Sequence, residues 1–340
     1  MDIARLTKRV PMHIPADFSD AAALLRELYT RMKTIRVFED TCVAAHQAGE
    51  IPGYIHSSAG QEAVPVGVCS ALRTDDRITS THRGHGHGLA KGSDLDGMMA
   101  ELYAKEAGHC GGKGGSMHVA DFAVGMLGAN GIVAGGIPIA CGAAQGLKLL
   151  GSDAVVVCFF GDGAVNRGPF LEGMNWAAIY KLPVLFVCED NTFSAFTHSR
   201  TTTAGPGPLA RAESCGVNGE RVDGNDVLAV REAALRLVPG IRHGGGPRFL
   251  WAKTYRFSGH VSVDPAAYRN PADLEAAQRR DPLILARLQL ETAGARAADI
   301  EAIDARVEAD VARSQDRARA LPYPPFAAAF HDVQDAGSPA

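Results

Sequence analysis

The stretch that decides the fold covers residues 155–191 and reads VVVCFFGDGAVNRGPFLEGMNWAAIYKLPVLFVCEDN. Two short apolar runs, residues 155–160 and 184–188, are rich in β-branched and aromatic residues and predict buried strands. The segment between them has apolar residues at helical spacing and ends near Pro183, which predicts a helix. We therefore expect a β-α-β unit, with two parallel strands and a right-handed crossover.

Polar residues follow both predicted strands. Asp162 and Gly163 come after the first strand, and Asn191 comes after the second. The carboxyl ends of parallel strands are where open α/β sheets bind ligands, so Asp162 and Asn191 are expected to lie close together. Carboxylate and amide oxygens suit a hard cation such as Mg²⁺, and the glycine with the following helix start suits a phosphate. A metal-bound diphosphate is the favoured interpretation. The alternative is an ordinary turn in which Asp162 caps the helix.

The motif Asp162-Gly163-Ala164, followed after a helix by Asn191, resembles the thiamine diphosphate-binding motif. With its flanking residues it is similar to the alpha subunits of 2-oxo acid dehydrogenase complexes and of acetoin dehydrogenase, over nearly the whole chain. The resemblance implies a thiamine diphosphate-binding α/β fold, with a mostly parallel central sheet and helices on both faces. It also implies that these four residues bind the cofactor, and that Asp162 and Asn191 hold Mg²⁺ together with the backbone carbonyl of Phe193.

The same resemblance assigns roles to residues elsewhere in the chain. His56 occupies the place of a histidine at the mouth of the active site, where it would hydrogen-bond or transfer a proton to the substrate oxygen. His260 lies in the loop after a predicted strand at residues 248–255, and would reach both cofactor and substrate. The other expected cofactor contacts are His82, Arg83, Gly131, Val133 and Arg256.

Several polar or glycine-rich segments have more than one interpretation. His82, His85 and His87 could bind zinc, but their alternating glycines predict a loose loop and no fourth ligand is evident. Residues 110–118, CGGKGGSMH, taken alone are either a phosphate cradle or a flexible turn; the resemblance makes them scaffold around the site. Residues 131–150 have nearly the length of a membrane span, but contain a proline, a lysine and five glycines. They are better interpreted as a buried, tightly packed helix.

Composition argues against several classes of function. The chain has 340 residues, a net charge of −4 and no basic-aromatic stripe, so no nucleic-acid partner is expected. Its seven cysteines form no Cys-x-x-Cys pair, which favours reduced thiols in a cytoplasmic protein. We expect neither a signal peptide nor a membrane-spanning segment.

Three parts are predicted along the chain. Residues 1–20 form an N-terminal arm, and residues 21–270 form the α/β domain that binds the diphosphate and the metal. Residues 271–340 form a C-terminal helical extension and tail, in which apolar residues at helical spacing predict a long surface helix.

The resemblance implies a thiamine diphosphate-dependent oxidoreductase that cleaves acetoin and transfers the acyl group to the lipoamide of a partner acyltransferase. A pyruvate or branched-chain 2-oxo acid dehydrogenase is the nearest alternative; the wording THRGHGH is more similar to the acetoin type. The chain has no room for a second domain carrying the activating Glu, so a beta subunit is expected to supply it in an α₂β₂ heterotetramer. Two alternatives of another class are a non-catalytic assembly subunit and another Mg-nucleotide enzyme. Asp190 stands where family members commonly have Asn, with an effect that the sequence leaves open.

Overall fold

The computed structural model describes residues 21–330; the predicted arm at residues 1–20 and the last ten residues lie outside it. The strands are β1 Arg77–Thr79, β2 Val156–Gly161, β3 Val184–Asp190, β4 Phe193–Ser194, β5 Thr197–His198, β6 Gly219–Asp223 and β7 Arg248–Lys253. Five of them form a parallel sheet in the order β1-β2-β3-β7-β6, while β4 and β5 form a short antiparallel pair. The predicted parallel β-α-β unit is therefore present, with β2 paired to β3.

The helices surround this sheet. They are α1 Ala21–Gln47, α2 Ala63–Cys69, α3 Gly84–Lys91, α4 Leu95–Leu102, α5 Gly136–Leu149, α6 Gly168–Ile179, α7 Pro208–Ser214, α8 Val227–Gly240, α9 Pro271–Gln278, α10 Pro282–Thr292 and α11 Ala297–Ala320. Among residues 21–330, none of the helices combines the length and the apolar composition needed to cross a membrane.

Alternate residues of the central strands enter two separate apolar cores. Val157 and Phe159 of β2 pack on one face with α1, α2, α4, α8, α10 and α11. Cys158 and Phe160 pack on the other face with α5 and α6. Because side chains of a strand alternate in direction, a strand buried on both faces must be apolar throughout, as β2 is. This arrangement confirms the predicted fold, a parallel sheet with helices on both faces.

The C-terminal residues form three helices instead of one long one. Pro271 and Pro282 stand at the first positions of α9 and α10, where proline is compatible with a helix start. The predicted apolar stripe lies on α11, where Ile300, Val307 and Val311 are buried in the core that α1 also enters. The helix thus covers the core of its own chain. The division at residue 270 stays a prediction.

Two sequence predictions of local structure are wrong. The segment containing His85 and His87 is the buried helix α3, not a loose loop. The predicted buried helix at residues 131–150 begins only at Gly136, and one of its faces is open: Ile139 is 50% and Leu149 79% exposed. Strand β6 was not predicted at all, because its sequence GERVD is polar and it lies at the edge of the sheet.

Candidate active site

A cavity opens at the carboxyl ends of β2 and β3, where the loops after β1 and β7 also meet. It holds about 980 Å³ of empty space with its mouth included, a size suited to a small molecule. Its lining includes every residue for which the sequence predicted a catalytic, cofactor or metal role. These are His56, His82, Arg83, Gly131, Val133, Asp162, Gly163, Ala164, Asn191, Phe193, Arg256 and His260. Residues more than 200 positions apart in the chain therefore share one site.

Asp162 and Asn191 line this cavity with oxygen atoms suited to a cation. Asp162 is 3% exposed, and its Oδ2 has no hydrogen-bond partner within residues 21–330. Burial, and then the nearby charge of Asp190, raise the pKa of Asp162 to about 7. A buried carboxylate oxygen without a partner destabilises the protein unless a bound cation compensates its charge, and Mg²⁺ would do so. Asp162 does not cap α6, which begins six residues later.

Asn191 is oriented by hydrogen bonds on both sides of its amide. Its Nδ2 donates to Oε1 of Gln61 at 2.9 Å, and its Oδ1 accepts from the backbone N–H of Phe193 at 3.2 Å. Gln61 also lines the cavity, although no motif in the sequence points to it. It lies just before α2, five residues after His56, but only the fold shows that it reaches the end of β3.

Gly163 is required by the protein's own packing. A Cβ atom at this position would overlap with the Oγ and Cβ of Ser194 on β4. Ser194 also lines the cavity. The sequence predicted that the missing side chain of Gly163 leaves room for a ligand. In the structure it also leaves room for Ser194, in the segment that follows β3.

Two arginines in the cavity wall are buried without an acidic partner. Arg83 is 5% and Arg256 1% exposed, and neither forms an ion pair with any carboxylate in the described part of the chain. Arg83 donates to the carbonyls of Ser57 at 2.7 Å and His260 at 3.1 Å, while Arg256 donates to the hydroxyl of Tyr268 at 3.2 Å. Burial lowers the pKa of both guanidinium groups. Because buried cations without counter-charges are costly, this wall fits an anion such as a diphosphate.

Three imidazoles come together at the cavity. The ring of His56 lies 4.8 Å from that of His82 and 5.1 Å from that of His260, and the last two are 5.5 Å apart, centre to centre. Burial and the charge of Arg83 lower the pKa of His56 to about 3 and of His260 to about 4, and that of His82 in the same direction. The three rings are therefore neutral near pH 7 and can both donate and accept hydrogen bonds.

The alternative zinc site of His82, His85 and His87 is wrong. His85 on α3 contacts Oε2 of Glu39 at 3.2 Å, whereas His87 contacts Oε2 of Glu189 at 3.1 Å. Each of these two rings is thus engaged by its own carboxylate. Within the described residues, the three potential ligands that lie within mutual reach are instead His82 with His56 and His260.

The glycine-rich loop at residues 110–118 is organised by a buried carboxylate. Glu101 at the end of α4 is fully buried, and its two oxygens accept four backbone N–H bonds of 2.7–3.0 Å. The donors are Cys110, Gly112, Gly114 and Gly115. These amides are therefore not free to bind a phosphate, and the phosphate-cradle alternative is wrong. The loop is scaffold, built around a side chain that no sequence motif pointed to.

Comparison with known proteins identifies the family of this chain. Residues 30–327 match the model of the family described as dehydrogenase E1 component. The chain is 44% identical over 310 residues to the alpha subunit of acetoin:2,6-dichlorophenolindophenol oxidoreductase of Bacillus subtilis, covering 90% of this chain and 92% of that protein. Its identity to the protein of the same name from Cupriavidus necator is 44% over 313 residues, covering 90% and 94%. It is 40% identical over 306 residues to the pyruvate dehydrogenase E1 component subunit alpha of Porphyra purpurea, covering 87% and 89%. The resemblance found in the sequence is confirmed: the chain belongs to the dehydrogenase E1 component family.

Proposed function

We propose that this chain is the alpha subunit of a thiamine diphosphate- and Mg²⁺-dependent enzyme that cleaves acetoin and passes the acyl group to lipoamide on a partner acyltransferase. The observation that carries the proposal is the combination of an unpartnered, buried Asp162 with two buried arginines that lack a counter-charge. One group needs a cation and the other two need an anion. A magnesium diphosphate satisfies all three.

In this proposal Asp162, Asn191 and the carbonyl of Phe193 hold Mg²⁺, while Gly163 and Ala164 lie against the diphosphate. Arg83 and Arg256 neutralise the phosphate oxygens, and Gly131 and Val133 lie beside the aminopyrimidine end. When bound, thiamine diphosphate supplies the carbanion that attacks a carbonyl carbon.

The histidines would act on the substrate oxygen. His56 and His260 line the cavity close to each other, and both are neutral near pH 7. A neutral imidazole can donate a hydrogen bond to a carbonyl or take the proton of a hydroxyl, as cleavage of a hydroxyketone requires. His82 completes the cluster and is expected to reach the cofactor.

A beta subunit is expected to cover the open face of α5 and α6. This face exposes Ile139, Leu149, Leu150, Leu171, Trp176 and Ile179, each between 48% and 83% exposed. Gly142 and Gly146 on α5 have no atom near their missing Cβ, so another backbone could approach there closely. Large exposed apolar faces mark protein interfaces. Ile132, 72% exposed, lines the cavity itself, so a partner on this face would also reach the cofactor and could supply the activating Glu.

Acetoin is preferred to a 2-oxo acid for two reasons. The relatives at 44% identity carry acetoin in their names, whereas the pyruvate relative is 40% identical. The three neutral imidazoles also suit an uncharged hydroxyketone. Cytoplasmic location is proposed because all seven cysteines are free thiols.

The test is to purify the chain with its beta partner and to assay acetoin and pyruvate with dichlorophenolindophenol as electron acceptor. We expect cofactor- and Mg²⁺-dependent dye reduction with acetoin, and none in an Asp162→Ala complex. Faster turnover of pyruvate than of acetoin would change the proposed substrate from acetoin to a 2-oxo acid. Unchanged cofactor binding by Asp162→Ala would refute the metal assignment.

A further inference from the structure

Asp190, the residue beside the expected metal ligand Asn191, is held by three donors. It is the last residue of β3 and is 4% exposed. Its Oδ2 accepts from Nε1 of Trp251 at 2.9 Å, and its Oδ1 accepts from Nζ of Lys253 at 2.9 Å. Trp251 and Lys253 both lie on β7, the strand paired to β3. The charge that Asp190 adds to the site is therefore matched by a cation on the neighbouring strand.

The third donor belongs to a strained turn. The backbone N–H of Thr192 donates to Oδ1 of Asp190 at 3.0 Å, and Thr192 has a φ of 72°. A β-branched residue rarely adopts this left-handed conformation, which costs free energy and persists only where its surroundings hold it. The strained residue stands directly between Asn191 and Phe193.

The conformation of this turn determines the orientation of the two proposed metal ligands, Asn191 and the carbonyl of Phe193. With Thr192 in this conformation, the N–H of Phe193 comes within 3.2 Å of Oδ1 of Asn191, and Ser199 donates to the carbonyl of Thr192 at 2.8 Å. A relaxed Thr192 would rotate the peptide that follows it, and with it the carbonyl of Phe193. The geometry of both proposed ligands thus depends on one unfavourable dihedral angle.

We infer that Asp190, Trp251 and Lys253 form a clamp that holds the strained turn at Thr192, and thereby positions Asn191 and Phe193 for Mg²⁺. This inference rests on the proposed function, because it takes those two residues as metal ligands. Lys253 and Trp251 are positioning residues, since they act through Asp190.

The test measures the Mg²⁺-dependent affinity of the assembled complex for thiamine diphosphate by calorimetric titration. Lys253→Met removes the cation but keeps most of the length of the side chain, and we expect binding about tenfold weaker, equivalent to about 1.4 kcal/mol. Lys253→Arg should restore most of the affinity. Lys33→Met is the matched control: it breaks an ion pair with Glu308 of α11, remote from the cavity, and should bind as the wild type does.

The variant Thr192→Gly distinguishes a positioning role of the clamp from a general effect on stability. Glycine adopts a φ of 72° without strain, so Thr192→Gly should suppress most of the loss caused by Lys253→Met. Trp251→Phe, which removes the indole N–H donor together with part of the ring, gives a second test, and its loss should also be suppressed by Thr192→Gly. Both double variants keep the inference testable if Lys253→Met alone assembles poorly.

Three outcomes overturn the clamp. They are equal affinity of Lys253→Met and Lys33→Met, failure of Lys253→Arg to restore binding, and an undiminished loss when Thr192 is glycine. If instead the wild-type complex shows no Mg²⁺-dependent cofactor binding, the proposed function itself is wrong. The wild-type measurement therefore separates the two failures.

Discussion

Replacing Asp162 by Asn should make the cofactor-free complex more stable while abolishing metal binding. Asp162 is 3% exposed, and its Oδ2 has no partner in the described structure. Its pKa is raised from 3.8 to about 7, chiefly by burial. In the folded state the ionised carboxylate is therefore destabilised by roughly 4 kcal/mol relative to the protonated form, because each pKa unit is worth about 1.4 kcal/mol. The isosteric amide carries no such charge.

The sign of the pH dependence follows from proton linkage. The folded state binds the Asp162 proton more tightly than the unfolded state, so the cost is absent below about pH 4 and complete above about pH 7. The buried amide of Asn has its own desolvation cost of about 2 kcal/mol. We therefore expect Asp162→Asn to be roughly 2 kcal/mol more stable than wild type at about pH 8, and about equal at about pH 5.

The assay is denaturant unfolding of the assembled complex at both pH values and at one fixed protein concentration. Saturating Mg²⁺ and thiamine diphosphate should stabilise the wild type by about 3 kcal/mol at a hundredfold excess over Kd, and leave Asp162→Asn unchanged. A variant that is less stable than wild type at pH 8 without metal would refute the reasoning from burial. A variant stabilised by Mg²⁺ as much as wild type would refute the reasoning from ligation.

Three further perturbations test other parts of the site. Gly163→Ala should weaken cofactor binding about tenfold because its Cβ overlaps with Ser194, and Gly163→Ala/Ser194→Gly should recover it; titration of both variants decides. Glu101→Gln leaves two of four backbone N–H donors without an acceptor and should cost about 3 kcal/mol, measured by chemical denaturation; a loss below 0.5 kcal/mol would contradict the loop's dependence on this carboxylate. The pKa values of His56 and His260 are lower in the folded than in the unfolded state, so on acidification the unfolded state binds protons first. The free energy of unfolding should therefore fall as pH drops from about 6.5 towards about 4. His260→Gln should flatten that fall, and an unchanged profile would refute it.

The sequence predicted the centre of this protein because its signals there are local. Two apolar runs and the polar residues that end them specify β2, β3 and the placement of Asp162 and Asn191 in one cavity, since strand ends in a parallel sheet share one edge. The arginines and histidines of the cavity needed the family resemblance. Nothing in the spacing of Arg83 and Arg256 indicates that they line the same cavity.

The failures arise where distant residues decide local structure. Alternating glycines are poor helix formers, yet α3 forms because Glu39 and Glu189 reach its histidines from α1 and β3. Strand β6 has a polar sequence, and only its pairing with β7 makes it a strand. The clamp on Asp190 could not be predicted for the same reason: its cation lies 63 residues further along the chain.

The glycine-rich loop around Glu101 is held by the protein itself and needs no bound anion. Its central anion is a side chain of the same polypeptide, so the shape of the loop does not depend on the concentration of vitamin-derived cofactor. Met117 of this loop lines the cavity, so this part of the lining is in place before a cofactor binds.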